Sequence, residues 1–517
     1  MSYIVEQKIH GKIYLYEASS YWDKDKKQSR QKRKYLGPKD AQNIVKKKKK
    51  ATNLASKNHG NVTLLSRISR ELGLTSILQK IFPGNYLEIL ALANYTISEG
   101  MPFYMFPHWL EEQNLPEVKK LSSTSISNLC DDLGRSEKER IDFISQWSKT
   151  QKPKGGVYYD ITSISSYSTN IDFVEWGYNR DQENLAQINM GVMCNSNNSL
   201  PIFYNLYPGS INDVSTLKNC IKYSDSFMDL KEIAFVLDRG FFSKKNVLEM
   251  DKSNIKFIQP LSFSLKQTKE LIAKHKRQIA NPENVLKYNE EIIYHALDKI
   301  KIDNKAFDVH IFFNEKAHMD QKHHFLSVLL EIEDRVKDKK LASMKEYLSF
   351  KKENIPEKYQ QYFKWNKNSL TIEKNIRKIR AYNSRAGFFL IAANHKVSNI
   401  DILAHYRKRD CVEKLFDNSK NEMDGKRLRS HSTYTNNGKL FIKFIALILH
   451  TQISNYMNKS KLFKSYSLKE LLMELKKIKI SRINEQEPFI SEISKKQKNI
   501  LSGFGIDVEE FMEIPSY

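Results

Sequence analysis

The sequence is poor in cysteine and contains no long apolar run. Its four cysteines, among 517 residues, are scattered with no C-x-x-C pair, so we expect reduced, partly buried thiols rather than a thiol metal motif. No apolar run approaches the ~18 residues that span a bilayer, and the longest, Phe444–Leu449, lies between Lys443 and His450. The start, MSYIVEQKIHGK, lacks a signal-peptide core. We therefore expect a soluble, cytoplasmic protein with no membrane partner.

Acidic residues are also few relative to basic ones. The chain has 84 Lys and Arg against 60 Asp and Glu, a formal net charge of +24. This excess favours a polyanionic partner such as nucleic acid or an anionic membrane surface, and without a membrane segment it points to nucleic acid. Richness in Lys, Asn and Ile is also typical of an AT-rich genome, which weakens the charge argument.

The first 152 residues divide into two predicted parts. Residues 1–60 begin with alternating residues that predict a hairpin around His10-Gly11, and continue with a basic stretch, 23–50, that includes Lys46–Lys50. This stretch is either a solubilising linker or an arm that binds DNA phosphates. Residues 61–152 have apolar residues at helical spacing, which predicts a compact helical DNA-binding module in the style of a helix-turn-helix.

From residue 153 the pattern predicts a mixed α/β domain. Three strands, a helix, a strand, a helix and a strand follow one another in residues 153–261, which is the order of an RNase H-like core. Residues 262–385 are polar and too long for a loop, so we expect an inserted, mainly β domain. The core resumes over residues 386–460. Residues 461–517 predict a helical tail that either covers the core or forms a dimer contact.

The segment YRKRDCVEKLFDNSK, residues 406–420, predicts a helix with a charged stripe. At about 100° per residue, Tyr406, Arg409, Glu413 and Lys420 lie within about 60° of one another. A carboxylate flanked by cations suits a site that holds a divalent metal and phosphates together. The same pattern is also typical of a solvated face with weak ion pairs, and Asp410 and Asp417 are further possible ligands.

Two aspartates upstream favour the metal interpretation. Asp160 and Asp238 each lie at the end of a predicted strand, and in an RNase H-like core those two strands are neighbours. Taken singly, an Asp at a strand end is commonly a cap or turn residue. With Glu413 on a following helix, three carboxylates would converge, and mutual repulsion would require cations between them. Oxygen ligands fit two Mg²⁺ ions, with Mn²⁺ as a substitute.

These motifs resemble those of DDE transposases of bacterial insertion sequences, in the insertion sequence four group. The group's Y-x2-R-x3-E-x6-K signature is matched without a gap by the helix of residues 406–420. VYYDITS around Asp160 and VLDRGFF around Asp238 are similar to the family's first and second Asp motifs. SYWDKDKKQSRQKRKYLG and PGSINDVSTL resemble its long-chain branch.

The resemblance implies an enzyme that nicks transposon ends hydrolytically and transfers a 3′-hydroxyl strand to target DNA, often through a hairpin. It implies that Asp160, Asp238 and Glu413 bind metal, and that Tyr406, Arg409 and Lys420 hold the DNA backbone. Its partners would be double-stranded DNA, both terminal inverted repeats and target, and a second copy of the chain in a homodimer.

Other candidates have weaker support. Trp365 is a candidate for stacking on a flipped base, or else a core or surface residue. Arg239 and Asn212 are candidates for DNA contacts, or else turn and cap residues. The spacing of His310, His318, His323 and His324 matches no standard ligand pattern, so we expect a polar, basic surface there.

Two alternatives to an active transposase stay open at this point. One is a non-catalytic DNA-binding protein derived from a transposase, which would bind ends without nicking them. The other is an RNase H-like host nuclease, which would cleave without any dependence on terminal repeats.

Overall fold

The computed structural model describes residues 2–39, 54–153, 155–168, 170–484 and 486–512. The predicted basic run Lys46–Lys50 lies outside these residues. The chain divides into two compact units, one of Met1–Ser56 with Ser481–Phe489 and one of Lys57–Ile480 with Ile490–Tyr517. Each unit is described by itself.

The smaller unit contains a meander of antiparallel strands, β1 (Ser2–Ile9), β2 (Lys12–Asp23) and β3 (Gln28–Pro38). The predicted hairpin is confirmed, because His10 and Gly11 both have positive φ, 48° and 80°, as a tight two-residue hairpin turn requires. The first part of the predicted basic arm is a strand, since β3 pairs with β2. Its side chains are mostly exposed.

The strand β4 (Leu54–Asn58) leads into the predicted helical region of the larger unit. Ser122 caps one of these helices by accepting a hydrogen bond from the Ser125 amide at 3.1 Å. The helices are α1 (Gly60–Glu71), α2 (Leu74–Ile81), α3 (Tyr86–Ser98), α4 (Phe106–Glu112), α5 (Ser123–Arg135) and α6 (Glu137–Gln151).

The central sheet begins directly after these helices. Its first elements are β5 (Gly155–Ser165), β6 (Gln187–Asn195), β7 (Pro201–Pro208), α7 (Asp213–Ser224), β8 (Ile233–Leu237), α8 (Lys244–Lys252) and β9 (Lys256–Pro260). The strand order is β9-β8-β5-β6-β7. β5, β8 and β9 are parallel, while β6 and β7 run antiparallel to their neighbours. This is the predicted RNase H-like arrangement, with the first and fourth strands adjacent.

The interruption that follows is mixed rather than mainly β. It contains α9 (Lys266–His275), β10 (Val285–Tyr288), β11 (Glu291–Ile302), β12 (Lys305–Phe313), α10 (Glu315–Val336), α11 (Met344–Asn354), β13 (Phe363–Asn366), β14 (Thr371–Lys374) and α12 (Ile376–Asn383), and it leads to β15 (Phe388–Ala393). β15 pairs with both β9 and β12. The strands β10–β12 therefore extend the central sheet, and only residues after them have a separate apolar core.

The last part of the chain holds strands as well as the predicted helices. Its elements are α13 (Asn399–Lys408), α14 (Asp410–Glu422), α15 (Thr433–Lys459), α16 (Leu468–Lys476), β16 (Lys479–Ile483), β17 (Phe489–Ile490), α17 (Lys495–Gly503) and α18 (Val508–Met512). α15 is long and apolar enough to cross a membrane, but 67% of its most apolar window is buried inside the structure. It therefore has the character of a central core helix.

Helix α15 joins the helical region to the sheet. Its Gly438 faces the Cys130 carbonyl of α5, and Gly134 of α5 faces the Tyr434 carbonyl of α15, so closely that an added Cβ would overlap either oxygen. A second link to the sheet comes from α6, whose Trp147 and Ser148 side chains donate to the carbonyls of residues 201 and 202 of β7, at 2.8 and 2.7 Å. The predicted helical module and the sheet therefore share one core.

Substituting Gly438 by Ala tests this packing. The added methyl group must push α5 and α15 apart, so we expect Gly438→Ala to lower the free energy of unfolding by about 1–3 kcal/mol. Thermal melting followed by circular dichroism measures the change. Gly84→Ala is the matched control, because nothing lies within 4 Å of the added carbon. Equal melting temperatures for the two variants would contradict the close contact.

Candidate active site

The register of two parallel strands brings Asp160 and Asp238 together. Tyr159 of β5 pairs with Leu237, the last residue of β8. Asp160 follows Tyr159 within β5, and Asp238 follows Leu237 directly after the end of β8, so the parallel pairing brings the two aspartates side by side. Asp160 lies in the middle of β5, which runs to Ser165, rather than at a strand end as the sequence predicted. It is the end of β8 that creates the open edge beside it.

The helix that carries the third carboxylate is interrupted at Arg409. α13 ends at Lys408 and α14 begins at Asp410, with Arg409 between them. The Arg409 amide still donates to the His405 carbonyl at 3.3 Å, and the Arg409 carbonyl accepts from Val412 at 3.0 Å, one residue tighter than an α-helix requires. The single helix predicted for residues 406–420 is therefore two helices, and Tyr406 lies on the first.

The guanidinium of Arg409 contacts all three predicted carboxylates. Its Nη1 lies 3.6 Å from Asp160 Oδ2, and its Nη2 lies 3.6 Å from Asp238 Oδ1 and 2.6 Å from Glu413 Oε1. The Arg409 side chain is only 12% exposed. The predicted convergence of Asp160, Asp238 and Glu413 is thus present in the structure, with a protein cation at its centre.

Burial dominates the electrostatics of the site. The pKa of Asp160 is raised to about 7, chiefly by desolvation and also by the neighbouring Asp238, while the Ile161 backbone amide, Arg409 and Arg180 oppose the shift. Burial alone would lower the pKa of Arg409, but the surrounding carboxylates of Asp238, Asp160 and Glu413 raise it above its ordinary value. The site therefore brings three carboxylates to one guanidinium, whose single positive charge cannot neutralise all three.

The donor set fits a divalent cation. All three groups offer carboxylate oxygens, which Mg²⁺ and Mn²⁺ prefer, and all three already contact one cationic group. Across the described part of the chain, no three His, Cys, Asp or Glu side chains are grouped closely enough to hold an ion as they stand. Since the guanidinium lies between the carboxylates, metal binding at this site requires Arg409 to move.

Arg180, in the segment between β5 and β6, is a site residue that the sequence did not predict. Its guanidinium forms an ion pair with Asp213 at the start of α7 and donates to Ser163 Oγ of β5 at 3.3 Å. Its charge also lowers the pKa of Asp160. The only sequence signal is a charged run, RDQEN, after an aromatic stretch, and nothing in its spacing predicts the neighbourhood of Asp160.

Lys420 and Tyr406 are held by other side chains. Lys420 donates to both carboxylate oxygens of Asp181 at 2.8 Å and is 11% exposed. The Tyr406 ring stacks on Phe389 of β15, with centroids 5.8 Å apart. Their roles on DNA stay predictions. The structure brings Arg409 and Glu413 to the carboxylate cluster, while Lys420 contacts the segment that follows β5.

The weaker candidates occupy separate places. Arg239 is exposed, with its guanidinium 5.4 Å from the centre of the Phe263 ring. Trp365 is partly buried against the core of the interruption, and its Nε1 donates to the Leu341 carbonyl at 3.2 Å. Their DNA roles are untested by this geometry. Asn212 caps α7 by accepting from the Ser215 amide at 3.0 Å.

The histidines do not form one polar surface. His310 is buried and bonds to His295 across two strands at 3.0 Å, which corrects the expectation of a surface residue. Burial lowers the pKa of His295 to about 4. His318 contacts the Ala386 carbonyl at 2.8 Å, while residues 323 and 324 are exposed as expected.

Comparisons with known proteins give one family match. A family model described as the transposase DDE domain matches residues 149–449, which include all three carboxylates. No curated protein matches the chain. Among solved structures, one similar chain is from the cryo-EM structure of the piggyBac transposase synaptic complex with hairpin DNA. It has 9% identity and a TM-score of 0.34, and the match covers 80% of this chain and 70% of that chain.

The raised pKa of Asp160 predicts a pH-dependent stability. Between roughly pH 4 and 7, Asp160 keeps its proton in the folded chain but loses it in the unfolded chain. The contribution of the protonated carboxyl to the free energy of unfolding is therefore complete below pH 4 and is lost as the pH rises through 7. Asp160→Asn is neutral throughout. In EDTA we expect this variant to be more stable than the parent at pH 8, by at least about 1 kcal/mol in the free energy of unfolding. At pH 5 we expect a smaller difference in the same direction.

Urea denaturation at both pH values measures this difference. Asp417→Asn, an exposed position on α14, is the control and should change little at either pH. If Asp160→Asn were less stable than the parent at pH 8, the carboxylate would be stabilising and the account of the site's charge would be wrong.

Proposed function

Because the chain belongs to the family of transposases with a DDE domain, we propose that Asp160, Asp238 and Glu413 form its catalytic centre. The reaction proposed is cleavage of DNA at the ends of an insertion sequence, followed by transfer of a 3′-hydroxyl strand into target DNA. The observation that carries this proposal is the contact of all three carboxylates with the single guanidinium of Arg409.

The metal proposed for this site is Mg²⁺, with two ions held by the three carboxylates and Mn²⁺ as a substitute. When bound, such ions activate the attacking hydroxyl or water and stabilise the leaving oxygen. The protein supplies the rest. The β5–β8 register fixes the two aspartates, and α14 brings Glu413 to them. Arg409 neutralises part of their charge and, once displaced, can contact a DNA phosphate.

The DNA partner is supported by charge as well as by the family. A net charge of +24 provides sequence-independent attraction to phosphates. Tyr406 and Lys420 are proposed backbone contacts, and Lys420 must exchange its Asp181 partner for a phosphate to act as one. We further propose that terminal inverted repeats are the ends recognised, that two copies of the chain bring both ends together, and that the protein acts in the cytoplasm.

Substituting Glu413 by Gln tests the catalytic assignment. The amide keeps the size of the side chain but removes its charge, so we expect cleavage of DNA carrying the gene's flanking inverted repeats to fall at least ~100-fold with Mg²⁺. Gel analysis of end-labelled DNA measures this. Asp417→Asn should cleave like the parent.

Three outcomes separate the possibilities. Unchanged cleavage by Glu413→Gln would overturn the site. Retained end binding without nicking by the parent, in any divalent metal, would indicate a non-catalytic DNA-binding protein. Equal cleavage of duplexes with and without the repeats would indicate a general nuclease.

Substituting Arg409 by Ala tests whether this side chain occupies the position of a metal ion. Without metal, the variant leaves the carboxylates uncompensated, so we expect a lower melting temperature than the parent. Added Mg²⁺ should raise the melting temperature of the variant more than that of the parent, by about 1–3 °C. Arg407→Ala, exposed on α13, is the matched control. An equal metal response in all three proteins would contradict competition between Arg409 and the metal.

A further inference from the structure

The described residues of the segment between β5 and β6, residues 166–186, expose four large aromatic side chains. Tyr167 is 68% exposed, Phe173 49%, Trp176 66% and Tyr178 80%. Single exposed aromatics are common on protein surfaces. Four of them on one short connection call for a partner with a flat apolar face.

The backbone of this segment is fixed at the positions between the rings. Gly177 packs so closely on Gly209 that an added Cβ would overlap the carbonyl oxygen of that residue. Glu175 and Gln187 exchange two backbone hydrogen bonds of 2.9 and 3.0 Å. The Gln187 side chain also donates to the Tyr178 carbonyl at 2.8 Å. Trp176 and Tyr178 are therefore held out toward solvent by an anchored backbone.

The same segment is attached to the active site. Next to Tyr178, the Asn179 side-chain Nδ2 donates to Ser165 Oγ of β5 at 3.0 Å. The following residue, Arg180, pairs with Asp213, and its charge opposes the rise in the pKa of Asp160. Asp181 then holds Lys420. Two residues of backbone span at most about 7 Å, so the Tyr178 backbone lies within that distance of the Arg180 backbone.

Basic side chains lie beside one of these rings, Tyr167. The Arg427 guanidinium lies 5.0 Å from the centre of the Tyr167 ring, and Lys426 and Arg427 both pair with Glu183 of the same segment. Aromatic rings beside cations are the arrangement that binds single-stranded nucleic acid, because each base stacks on a ring while the cations attract the phosphates.

We propose that Trp176 and Tyr178 bind unpaired DNA bases next to the strand that the carboxylates cleave. This inference rests on the proposed function. Bases inside a duplex are already stacked, so the rings select DNA whose strands are separated at the cut, where unstacking costs least. Stacking on one ring changes affinity about tenfold. The segment would thereby position the end of the DNA strand at the site.

Binding to two DNA probes tests this inference without requiring cleavage. One probe is a short blunt duplex, and the other is the same duplex with a short single-stranded tail that carries 2-aminopurine at its first unpaired position. Fluorescence anisotropy in EDTA gives the affinities of the full-length chain. We expect the parent to prefer the tailed probe about tenfold or more and to quench the 2-aminopurine.

The double variant Trp176→Ala/Tyr178→Ala should lose both the preference and the quenching, while its affinity for the blunt duplex stays within about twofold of the parent. Trp176→Phe/Tyr178→Phe keeps the rings and should keep most of the preference. Tyr223→Ala is the matched control, since Tyr223 is 55% exposed near the far end of α7 from Asp213. Circular dichroism checks that each variant is folded.

A double alanine variant that keeps the tail preference, or a parent that has none, overturns the inference. A variant that changes only the oligomeric state also overturns it and marks the surface as a protein interface. If the parent cleaves inverted-repeat DNA in either case, the proposed function stands and only this inference fails. If the parent neither cleaves nor binds DNA, both fail.

Discussion

Repulsion among three carboxylates is the constraint on which this site depends. Asp160, Asp238 and Glu413 come from β5, the end of β8 and α14, and each lies within 3.6 Å of the Arg409 guanidinium. Without a cation between them, burial and mutual repulsion would favour separation or protonation. Burial, together with the neighbouring Asp238, raises the pKa of Asp160 even with the guanidinium beside it. Such a site has a standing preference for added positive charge.

The rest of the fold keeps these groups from moving apart. The β5–β8 register places the two aspartates on one face, and the interruption adds β10–β12 to the same sheet through β15. α15, buried along most of its length, ties the sheet to the helices that precede it. The carboxylates are thus mounted on rigid elements, as a site that must hold cations in fixed geometry requires.

Most of the core strands and helices, and the three carboxylates, could be predicted from the sequence because the patterns that indicate them are local. Short apolar strands that end at an Asp or a Pro, and apolar residues at helical spacing, specified the core elements. Helical spacing also predicted Glu413 beside Arg409, and the upstream aspartates and the resemblance to DDE transposases then favoured it over Asp410 and Asp417. Two features depended on tertiary contacts and were not predictable. The separation of α13 from α14 at Arg409 has no Pro or Gly to signal it, and Arg180 approaches Asp160 only through the folded connection between β5 and β6.

The same limit explains the errors in domain organisation. β10–β12 have ordinary strand patterns, and nothing in such patterns indicates whether a strand joins an existing sheet or a new one. The helices before residue 152 were predicted as a module of their own, yet the glycine contacts between α5 and α15 merge them with the core. His310 was expected at the surface. Its burial and its pairing with His295 could not be predicted, because they depend on the β11–β12 register.

We propose that the three carboxylates form one cation site, which the Arg409 guanidinium now fills. Anomalous X-ray diffraction from crystals soaked in Mn²⁺ shows whether a metal binds there. We expect Mn²⁺ peaks bounded by Asp160, Asp238 and Glu413, with the Arg409 guanidinium displaced from its present position. Crystals saturated with Mn²⁺ that show the guanidinium still between the carboxylates, and metal only elsewhere, would contradict this proposal.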